Sequence, residues 1–453
     1  MINVKIDSRK VEKGDIFVAI KGSGVDGHDF IEQAIQNGAE KIVCEHGNYK
    51  VETLVVDSSE EWVKNYISDT YSEEVNELNI MGVTGTNGKT TTCYLTYQIL
   101  NKLGIKTAYI GTIGFYCNGE SRELPNTTPN IVDLYELLLE AKDKGCTNVI
   151  MEVSSHSLVL ERVKGLKYKV AAFTNLTEDH LDFHKTMDNY FEAKNLLLKQ
   201  LEGSYIVNVD DDYGGKIDYD KVVSLGYKGN DIKIVDFSDT ENGTNINFEY
   251  KRTSYEIETN LKSNFNVYNY LTALGLITEM GVNIEDVLKI TKEIYPPRGR
   301  CEQIKVNNGI AVVDYAHTPD AVLKIIKAFS ENKKGRVITL VGCGGDRDPL
   351  KRPIMGKIAV ENSDFVVLTS DNPRTEDPQK IMADILEGVK TDNYVVVLDR
   401  KEAIVRALDM MEDNDIVLLL GKGHEDYQIL GREKVHFDDK EEVEKYLNSK
   451  KIA

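Results

Sequence analysis

The chain is poor in cysteine, tryptophan and proline, and it has no long apolar run. Its 453 residues include six cysteines, one tryptophan and nine prolines. The cysteines are scattered and form no Cys-x-x-Cys pair, which predicts reduced, mostly buried thiols rather than disulfides or a zinc site. No apolar stretch approaches the roughly 20 residues that cross a bilayer, and the first residues lack the features of a signal peptide. We therefore expect a cytoplasmic protein that does not associate with membranes.

Positive charge is also scarce. Lysine and arginine total 55 against 74 aspartates and glutamates, which gives a formal net charge of −19. Such an acidic chain is a poor general binder of nucleic acid or of membrane surfaces, so any anionic ligand must be held by local clusters. The length indicates about three domains, each with its own core.

The segment of residues 78–92 carries the strongest local signal. A short apolar strand runs into a loop with glycines at Gly85 and Gly88, and Lys89 and Thr90 follow as a helix begins. This pattern predicts a phosphate-binding loop, in which backbone N–H groups and the helix N-terminus face phosphate oxygens, the lysine reaches the outer phosphates and the threonine hydroxyl holds Mg²⁺. Val83 departs from the generic pattern, which has glycine there. The alternative is a glycine-rich turn before an ordinary helix.

The sequence divides into three predicted α/β domains. Residues 1–77 form a small N-terminal domain, in which short strands surround a helical pattern over residues 28–37. The acidic stretch of residues 72–77 is interpreted as a linker. From residue 78, strands alternate with helices, which predicts a central P-loop domain with a parallel sheet over residues 78–297.

Two alternating runs, residues 244–251 and 254–261, predict a hairpin near the edge of the central domain. Pro296 and Pro297 then break the chain. Strands and helices alternate again over residues 298–453, which predicts a C-terminal Rossmann-like, doubly wound domain.

Polar residues follow the predicted strands of both larger domains. Ligands of open α/β sheets bind at the carboxyl ends of the strands, so two sheets with such ends indicate a reaction in the cleft between domains. Any one of these loops could instead be an ordinary turn, because Gly, Asn, Asp and Pro are common turn residues. Glu152 and His180, at the ends of what we interpret as neighbouring strands, could hold a hard cation beside the nucleotide.

Lys194 has an unusual predicted position. On a helix spanning residues 188–201 it shares one face with Tyr190, Phe191 and Leu198. Burying a free ammonium on an apolar face is costly. Either the side chain reaches the rim of the apolar face, or it is chemically modified or meets a specific anion.

Together these motifs resemble those of the Mur ligases, the ATP-dependent amide ligases of peptidoglycan precursor synthesis. Within that family the chain is similar to the MurE type, which adds the third residue to UDP-N-acetylmuramoyl-L-alanyl-D-glutamate. The resemblance covers essentially the whole chain and rests on residues 7–9, 85–91, 126–129, 152–156, 175–194, 266–269, 299–300, 314–317, 371–374 and 421–425.

The resemblance implies a role for each matching residue. ATP, a co-substrate, is expected at Gly85, Thr86, Asn87, Gly88, Lys89, Thr90, Thr91, Asn266, Asn269, Arg300 and Asp314. The UDP-muramoyl-dipeptide is expected at Ser8, Thr127, Thr128, Ser154 and Arg162. The cofactor Mg²⁺ is expected at Thr90, Glu152, His180 and Lys194, the last as a carbamate. The catalytic group is then Lys89, Glu152, His180 and Lys194. Leu160 stands where family members often have glutamine.

The resemblance also implies the amino acid that is added. The MurE pattern for meso-diaminopimelate is Asp-Asn-Pro-Arg, which this chain has at Asp371, Asn372, Pro373 and Arg374. An arginine suits the distal carboxylate of that amino acid. Arg347, Gly421 and Glu425 complete the expected site. The implied partners are small-molecule substrates only, without nucleic acid, and the implied state is a monomer.

Two nearby alternatives share the ATP chemistry: a lysine-adding MurE-type enzyme and folylpolyglutamate synthetase. The lysine-adding enzymes lack the arginine found at residue 374, and residues 7–9 and 371–374 argue against a folate substrate. A protein of a different class, a P-loop regulatory nucleotide-binding protein, would need only the phosphate loop. It would leave Lys194, Arg374 and Glu425 without a role.

Overall fold

The computed structural model describes residues 2–22, 24–240, 243–331 and 333–452. The strands are β1 (Val4–Lys5), β2 (Ile16–Val18), β3 (Lys41–Cys44), β4 (Glu52–Val55), β5 (Asn79–Thr84), β6 (Thr107–Gly111), β7 (Gly114–Cys117), β8 (Glu120–Arg122), β9 (Asn148–Glu152), β10 (Tyr168–Phe173), β11 (Tyr205–Asn208), β12 (Val222–Gly226), β13 (Ile232–Asp239), β14 (Thr244–Tyr250), β15 (Thr253–Thr259), β16 (Glu302–Val306), β17 (Gly309–Asp314), β18 (Val337–Val341), β19 (Phe365–Leu368), β20 (Tyr394–Val396), β21 (Ile416–Leu420), β22 (Tyr427–Leu430) and β23 (Glu433–His436). The helices are α1 (Ile31–Asn37), α2 (Ser59–Val75), α3 (Lys89–Lys102), α4 (Ile131–Asp143), α5 (Ser155–Val159), α6 (Leu181–His184), α7 (Met187–Asn195), α8 (Asn264–Glu279), α9 (Ile284–Lys289), α10 (Pro319–Ser330), α11 (Lys351–Asn362), α12 (Pro378–Leu386), α13 (Arg400–Asp409) and α14 (Asp439–Ile452).

The first unit is a parallel four-stranded sheet in the order β1-β2-β3-β4. Its helix α2 packs against α4 of the central domain. The prediction of a linker over residues 72–77 is wrong, because α2 continues to Val75. Val63 and Ile67 form the buried apolar face of α2, and the helix begins with a capping hydrogen bond from the Glu61 N–H to Ser58. The acidic residues of the last turn occupy its outer face.

The central sheet has eleven strands in the order β15-β14-β13-β12-β11-β10-β5-β9-β6-β7-β8. Its middle, from β13 to β6, is parallel, and both edges are antiparallel. On the P-loop strand β5, Ile80 belongs to one buried cluster, whereas Met81 and Val83 belong to the other. Both faces are therefore covered, as expected of a parallel sheet. The β14–β15 hairpin lies at the edge, as predicted.

The third sheet has the order β16-β17-β21-β18-β19-β20, and only the β16–β17 pair is antiparallel. Helices α10, α11 and α12 lie along one face, and α13 and α14 lie on the other. Alternate residues of β17 confirm this arrangement, because Val312 enters one buried cluster while Ala311 and Val313 enter the second. The predicted doubly wound domain is confirmed.

Within the described ranges, every helix is too short or too polar to cross a membrane. All six cysteines are buried and free, as predicted, although the Cys117 and Cys146 sulfur atoms lie 3.4 Å apart.

Candidate active site

The phosphate loop connects β5 to α3. Gly88 has a φ of 88°, a conformation that residues with a side chain rarely adopt, and a Cβ there would lie 2.4 Å from the Asn269 Oδ1 atom. Both the backbone conformation and the lack of space for a side chain therefore require glycine at this position. Lys89 Nζ donates to the carbonyl oxygens of Gly85 and Thr86 at 2.9 and 2.8 Å. The ammonium group therefore lies within the loop that is expected to bind phosphate.

Thr90 and Glu152 bring two oxygen atoms together at the end of the sheet. The Thr90 hydroxyl donates to Glu152 Oε2 at 3.0 Å. In octahedral Mg²⁺ coordination with ligands at about 2.0–2.1 Å, neighbouring ligand oxygens lie about 3 Å apart. Glu152 is fully buried and its other oxygen accepts from Tyr109 at 2.6 Å and from the Thr112 N–H at 2.8 Å. The spacing and chemistry of this oxygen pair fit a magnesium ion.

Glu152 and His180 do not follow neighbouring strands, and that part of the sequence interpretation is wrong. Their strands, β9 and β10, flank the P-loop strand β5 on opposite sides. His180 contacts Asp179 at 3.3 Å, and burial lowers the pKa of its imidazole to about 4, which leaves a neutral ring at pH 7. In the part of the chain that the structure describes, no three His, Cys, Asp or Glu side chains form a group that could hold a metal. The predicted set contains two such side chains, a hydroxyl and a modified amine.

Lys194 is buried rather than extended to the rim of the apolar face, so the rim alternative is wrong. Its side chain is 1% exposed, and Nζ donates to the Gly85 carbonyl oxygen at 2.8 Å and lies 4.4 Å from the centre of the Tyr190 ring. Burial, together with the Lys89 charge, lowers the pKa of Lys194 well below its usual 10.5, while Asp179 opposes the shift. A neutral amine is the form that can react with CO₂, so the burial fits the predicted carbamate.

A cavity of about 750 Å³ opens beside the phosphate loop, between the central and C-terminal domains. Its lining includes the predicted nucleotide residues Asn87, Gly88, Thr91, Asn266, Asn269, Arg300 and Asp314. It also includes residues that the sequence did not single out, namely Asn208, Asp211, Phe265, Tyr315 and Lys324. These have no motif of their own. The signal that could have found Tyr315 is its place beside Asp314 at the end of a strand.

Two contacts cross this cavity from the C-terminal domain to the phosphate loop. Arg300 Nη2 donates to the Thr90 hydroxyl at 3.2 Å, and its guanidinium carbon lies 4.5 Å from the centre of the Tyr315 ring. Asn87 Nδ2 donates to Asp320 at 3.1 Å. Asp314 is held by the N–H groups of Cys301 and Ala316, each at 2.8 Å, and burial raises its pKa. Arginine and the phosphate loop thus face one space.

The predicted amino-acid residues form a second polar site at the strand ends of the C-terminal sheet. Asn372 Nδ2 donates to Glu425 Oε2 at 2.8 Å. Arg374 has a φ of 53°, in the left-handed region, and Nη1 donates to the Gly345 carbonyl at 2.8 Å. Gly421 has a φ of 112°, and a Cβ there would lie 2.5 Å from the Asp371 carboxylate. Arg347 is exposed and donates to the Asp346 carbonyl at 3.2 Å.

Lys422 is a site residue that the sequence did not single out, although it lies between Gly421 and Glu425. Its side chain is fully buried, and Nζ donates to Asn372 Oδ1 and to Glu425 Oε2, each at 3.2 Å. Burial and the neighbouring Asp371 raise the pKa of Glu425, while Lys422 lowers it. Lys422 therefore joins Asn372 and Glu425 in one buried polar cluster.

Four of the five residues expected to hold the UDP-muramoyl-dipeptide gather around the loop before α4, and Ser8 lies apart from them. Arg162 Nη1 donates to the Thr128 carbonyl at 3.0 Å, and the Thr128 hydroxyl lies 3.4 Å from the Ser154 hydroxyl. The Thr127 hydroxyl lies 3.0 Å from that of Thr112. Ser8 belongs to the N-terminal domain and donates to Gln33 at 2.9 Å. Ion pairs from Lys5 to Glu136 and from Lys10 to Asp133 attach that domain to α4.

Three family models cover the chain. Residues 2–83 match the Mur ligase family, catalytic domain; residues 83–277 match the Mur ligase middle domain; and residues 299–423 match the Mur ligase, glutamate ligase domain. A UDP-N-acetylmuramoyl-L-alanyl-D-glutamate–2,6-diaminopimelate ligase of Clostridium botulinum is 40% identical over 98% of this chain and 94% of its own length.

Solved structures agree with this result. A structure of a UDP-N-acetylmuramoyl-L-alanyl-D-glutamate–2,6-diaminopimelate ligase is 32% identical, with a TM-score of 0.67 over 99% of this chain and 95% of that one. The MurF ligase of Thermotoga maritima in complex with ADP has a TM-score of 0.72 over 100% and 99% of the two chains, and at 21% identity it supports the fold alone. Sequence, domain order and fold agree along the whole length, and this chain belongs to the Mur ligase family.

Proposed function

We propose that the protein is an ATP-dependent amide ligase that joins meso-diaminopimelate to UDP-N-acetylmuramoyl-L-alanyl-D-glutamate, releasing ADP and phosphate. This is a step of peptidoglycan precursor synthesis. The full-length similarity to ligases of that name supports the assignment. The observation that carries it is the contact of 3.2 Å between Arg300 and Thr90, which joins the C-terminal domain to the glycine-rich loop of the central domain and supports a nucleotide site between them.

The first chemical step is phosphoryl transfer. The γ-carboxylate of the D-glutamyl residue attacks the γ-phosphorus of ATP, the bond to the bridging oxygen breaks, and ADP leaves. Lys89 would exchange its two loop carbonyls for phosphate oxygens and, with Arg300, offset the negative charge. Thr90 and Glu152 would hold Mg²⁺, with His180 and a Lys194 carbamate as further ligands, and the ion would supply Lewis acidity at the phosphates.

The second step forms the amide. The free amine of meso-diaminopimelate attacks the acyl phosphate, phosphate leaves, and the nitrogen loses a proton. Arg374 would bind the distal carboxylate and Glu425 the distal ammonium, while Asp371, Asn372, Pro373, Arg347 and Gly421 would shape the pocket around them. Much of the rate would come from positioning three substrates in one cleft. Ser8, Thr127, Thr128, Ser154 and Arg162 would hold the UDP-muramoyl-dipeptide.

We also propose that the protein is a cytoplasmic monomer whose partners are these small molecules, without nucleic acid or membrane. The absence of a spanning helix in the described ranges and the acidic net charge support this. Light scattering with the purified full chain would test the monomer.

One assay tests the reaction. ADP release and tripeptide formation would be followed with UDP-N-acetylmuramoyl-L-alanyl-D-glutamate and either meso-diaminopimelate or L-lysine, and in reactions lacking either substrate. We expect product only with meso-diaminopimelate, and ADP release only when both substrates are present. Product with L-lysine would indicate the lysine-adding type. Product with a folate and glutamate, or ATP hydrolysis without any acceptor, would contradict the proposal.

A further inference from the structure

The β22–β23 hairpin, residues 427–436, lies against the loop of residues 371–374. Gln428 Nε2 donates to the Asp371 carbonyl at 2.6 Å, and the Ile429 N–H donates to Asn372 Oδ1 at 2.9 Å. The main chain of Arg374 is bonded on both sides, because its N–H donates to the Ile429 carbonyl at 3.0 Å and its carbonyl accepts from the Gly431 N–H at 2.8 Å. The main chain of the loop is therefore hydrogen-bonded to β22 and its turn in the manner of a neighbouring strand.

This pairing matters because Arg374 holds a left-handed backbone conformation, with a φ of 53°. For a residue with a side chain that conformation is unfavourable and persists only where the surroundings fix it. The bonds on both sides of Arg374 supply that constraint. They determine where the arginine side chain begins, and so where its guanidinium can reach.

The hairpin also reaches the central domain. Lys434, on β23, pairs with Glu123 at 3.4 Å and stacks over the Tyr427 ring at 3.7 Å. Glu123 lies four and five residues before Thr127 and Thr128, which carry the proposed contacts to the UDP-substrate. An exposed pair of this kind contributes little stability. It brings β23 next to the segment that leads to those threonines.

We propose that the hairpin is a specificity-determining element of the amino-acid site, and that Gln428 is its positioning residue. Resting on the proposed function, this assigns to residues outside the Asp-Asn-Pro-Arg motif the task of aiming Arg374 at the distal carboxylate. Gln428 touches neither substrate nor nucleotide in this scheme. It holds the Asp371 carbonyl, and through it the loop that ends in Arg374.

The test replaces Gln428 with methionine, which keeps the length of the side chain but removes its donor. The loss of one neutral hydrogen bond is worth roughly a three- to tenfold change. We expect the KM for meso-diaminopimelate to rise by about that factor, and the KM values for ATP and for the UDP-dipeptide to stay within twofold of wild type. Amide hydrogen exchange in peptides covering residues 371–376 should become faster, while β21 keeps its protection.

Arg432→Ala, at the exposed tip of the same hairpin, is the matched control and should leave both measurements unchanged. Unchanged KM and unchanged exchange in Gln428→Met would overturn the inference. So would an equal rise in all three KM values with a lower melting temperature, since that is the result of a merely structural role. If wild-type enzyme made no product with meso-diaminopimelate, the proposed function would fail, and the exchange measurement would still report whether Gln428 holds the loop.

Discussion

Two lysines share one acceptor at the phosphate loop. Lys89 Nζ and Lys194 Nζ both donate to the Gly85 carbonyl oxygen, at 2.9 and 2.8 Å. Two ammonium groups around one oxygen repel each other strongly in a buried setting. Burial lowers the pKa of both amines, and it lowers that of Lys194 well below the usual value. Of the two, Lys194 has the more strongly lowered pKa, which supports the proposal that Lys89 keeps the charge for phosphate and that Lys194 is the neutral amine available for modification.

Lys89→Ala should abolish ligation while leaving the fold intact. Lys89 is half-buried in the phosphate loop and belongs to none of the hydrophobic clusters of the described residues, so its loss removes a charge rather than packing from a core. Product formation and thermal unfolding of the variant are measured together. We expect no product and a melting temperature near that of wild type. Substantial retained turnover would contradict the assignment of the phosphate loop.

Lys194→Ala should be nearly inactive and partly rescued by acetate, because a short carboxylate can occupy the place of the carbamate. The motivation is an amine that is 1% exposed, whose pKa is lowered well below the usual value by burial, and whose Nζ donates to the Gly85 carbonyl of the phosphate loop at 2.8 Å. A readout independent of activity is the carbamate carbon signal in NMR after incubation with ¹³C-labelled bicarbonate, present in wild type and absent in the variant. A fully active alanine variant would show that no carbamate is needed.

The raised pKa of Glu425 predicts that kcat/KM for meso-diaminopimelate depends on pH. Its carboxylate must be ionised to attract the distal ammonium, and burial raises its pKa above the ordinary 4.5. As pH falls toward that raised value, the carboxyl takes up a proton and the attraction is lost, so kcat/KM for meso-diaminopimelate should decline at a higher pH than an exposed glutamate would give. Glu425→Gln should be weak at all pH values and lack this limb of the profile. An identical limb in the variant would assign it to another group.

At the scale of elements, the sequence predicted those with a strong local pattern. The hairpin predicted over residues 244–251 and 254–261 lies within two residues of the observed β14 and β15, because both runs alternate apolar with polar residues. The strands β6, β7, β8 and β13 of the central sheet were missed. β8 is a three-residue strand whose residues are all exposed at the sheet edge. β13 pairs locally with β14, but its alternation is broken by a register shift between Ile234 and Asp236, so a strict two-residue period does not detect it.

The candidate site also contains residues that a local motif predicts and residues that it does not. Motif residues such as Lys89 and Asn372 stand where the predicted strands end, so the sequence could place them. Gln428 carries no local signature, and Lys422, although it lies within residues 421–425, shows its place in the site only through its long-range contact with Asn372. The order of β9, β5 and β10 was also out of reach, because chain order does not fix strand order in a sheet.

Arg374→Ala should weaken meso-diaminopimelate selectively. The loop after β19 holds the arginine ready, and a hydrogen-bonded pair with a carboxylate is worth about 1.5–3 kcal/mol, or roughly ten- to over a hundredfold in affinity. We expect its KM for meso-diaminopimelate to rise by that factor while the KM for ATP changes little, as measured by steady-state kinetics. Arg374→Lys should rescue only partly, since an ammonium cannot make two parallel contacts.

Two results would contradict this interpretation of the loop. Wild-type enzyme that used L-lysine as well as meso-diaminopimelate would contradict it. So would an Arg374→Ala variant whose discrimination between the two amino acids was unchanged.

At the scale of the whole molecule, the cleft is the functional unit. The N-terminal domain has one apolar cluster of its own and shares a second with the central domain, whereas the buried residues of the two C-terminal clusters all belong to the C-terminal domain. The C-terminal domain meets the phosphate loop through polar contacts, Arg300 to Thr90 and Asn87 to Asp320. Such an interface can open and close without exposing a core, which suits an enzyme that must admit three substrates and then exclude water.

This arrangement predicts that nucleotide binding links the two domains through Arg300. A ligand at one hundred times its Kd stabilises a protein by about 2.7 kcal/mol. Arg300→Ala removes a cation from the phosphates and its stacking on Tyr315, and a tenfold loss of affinity would take about 1.4 kcal/mol from that stabilisation at the same nucleotide concentration. Thermal unfolding with and without a non-hydrolysable ATP analogue measures the difference. Arg406→Ala, an exposed helix arginine outside the cleft, is the control and should respond to the analogue as wild type does. An Arg300→Ala variant with the full wild-type shift would mean that the nucleotide is held by the central domain alone, and that closure depends on other contacts.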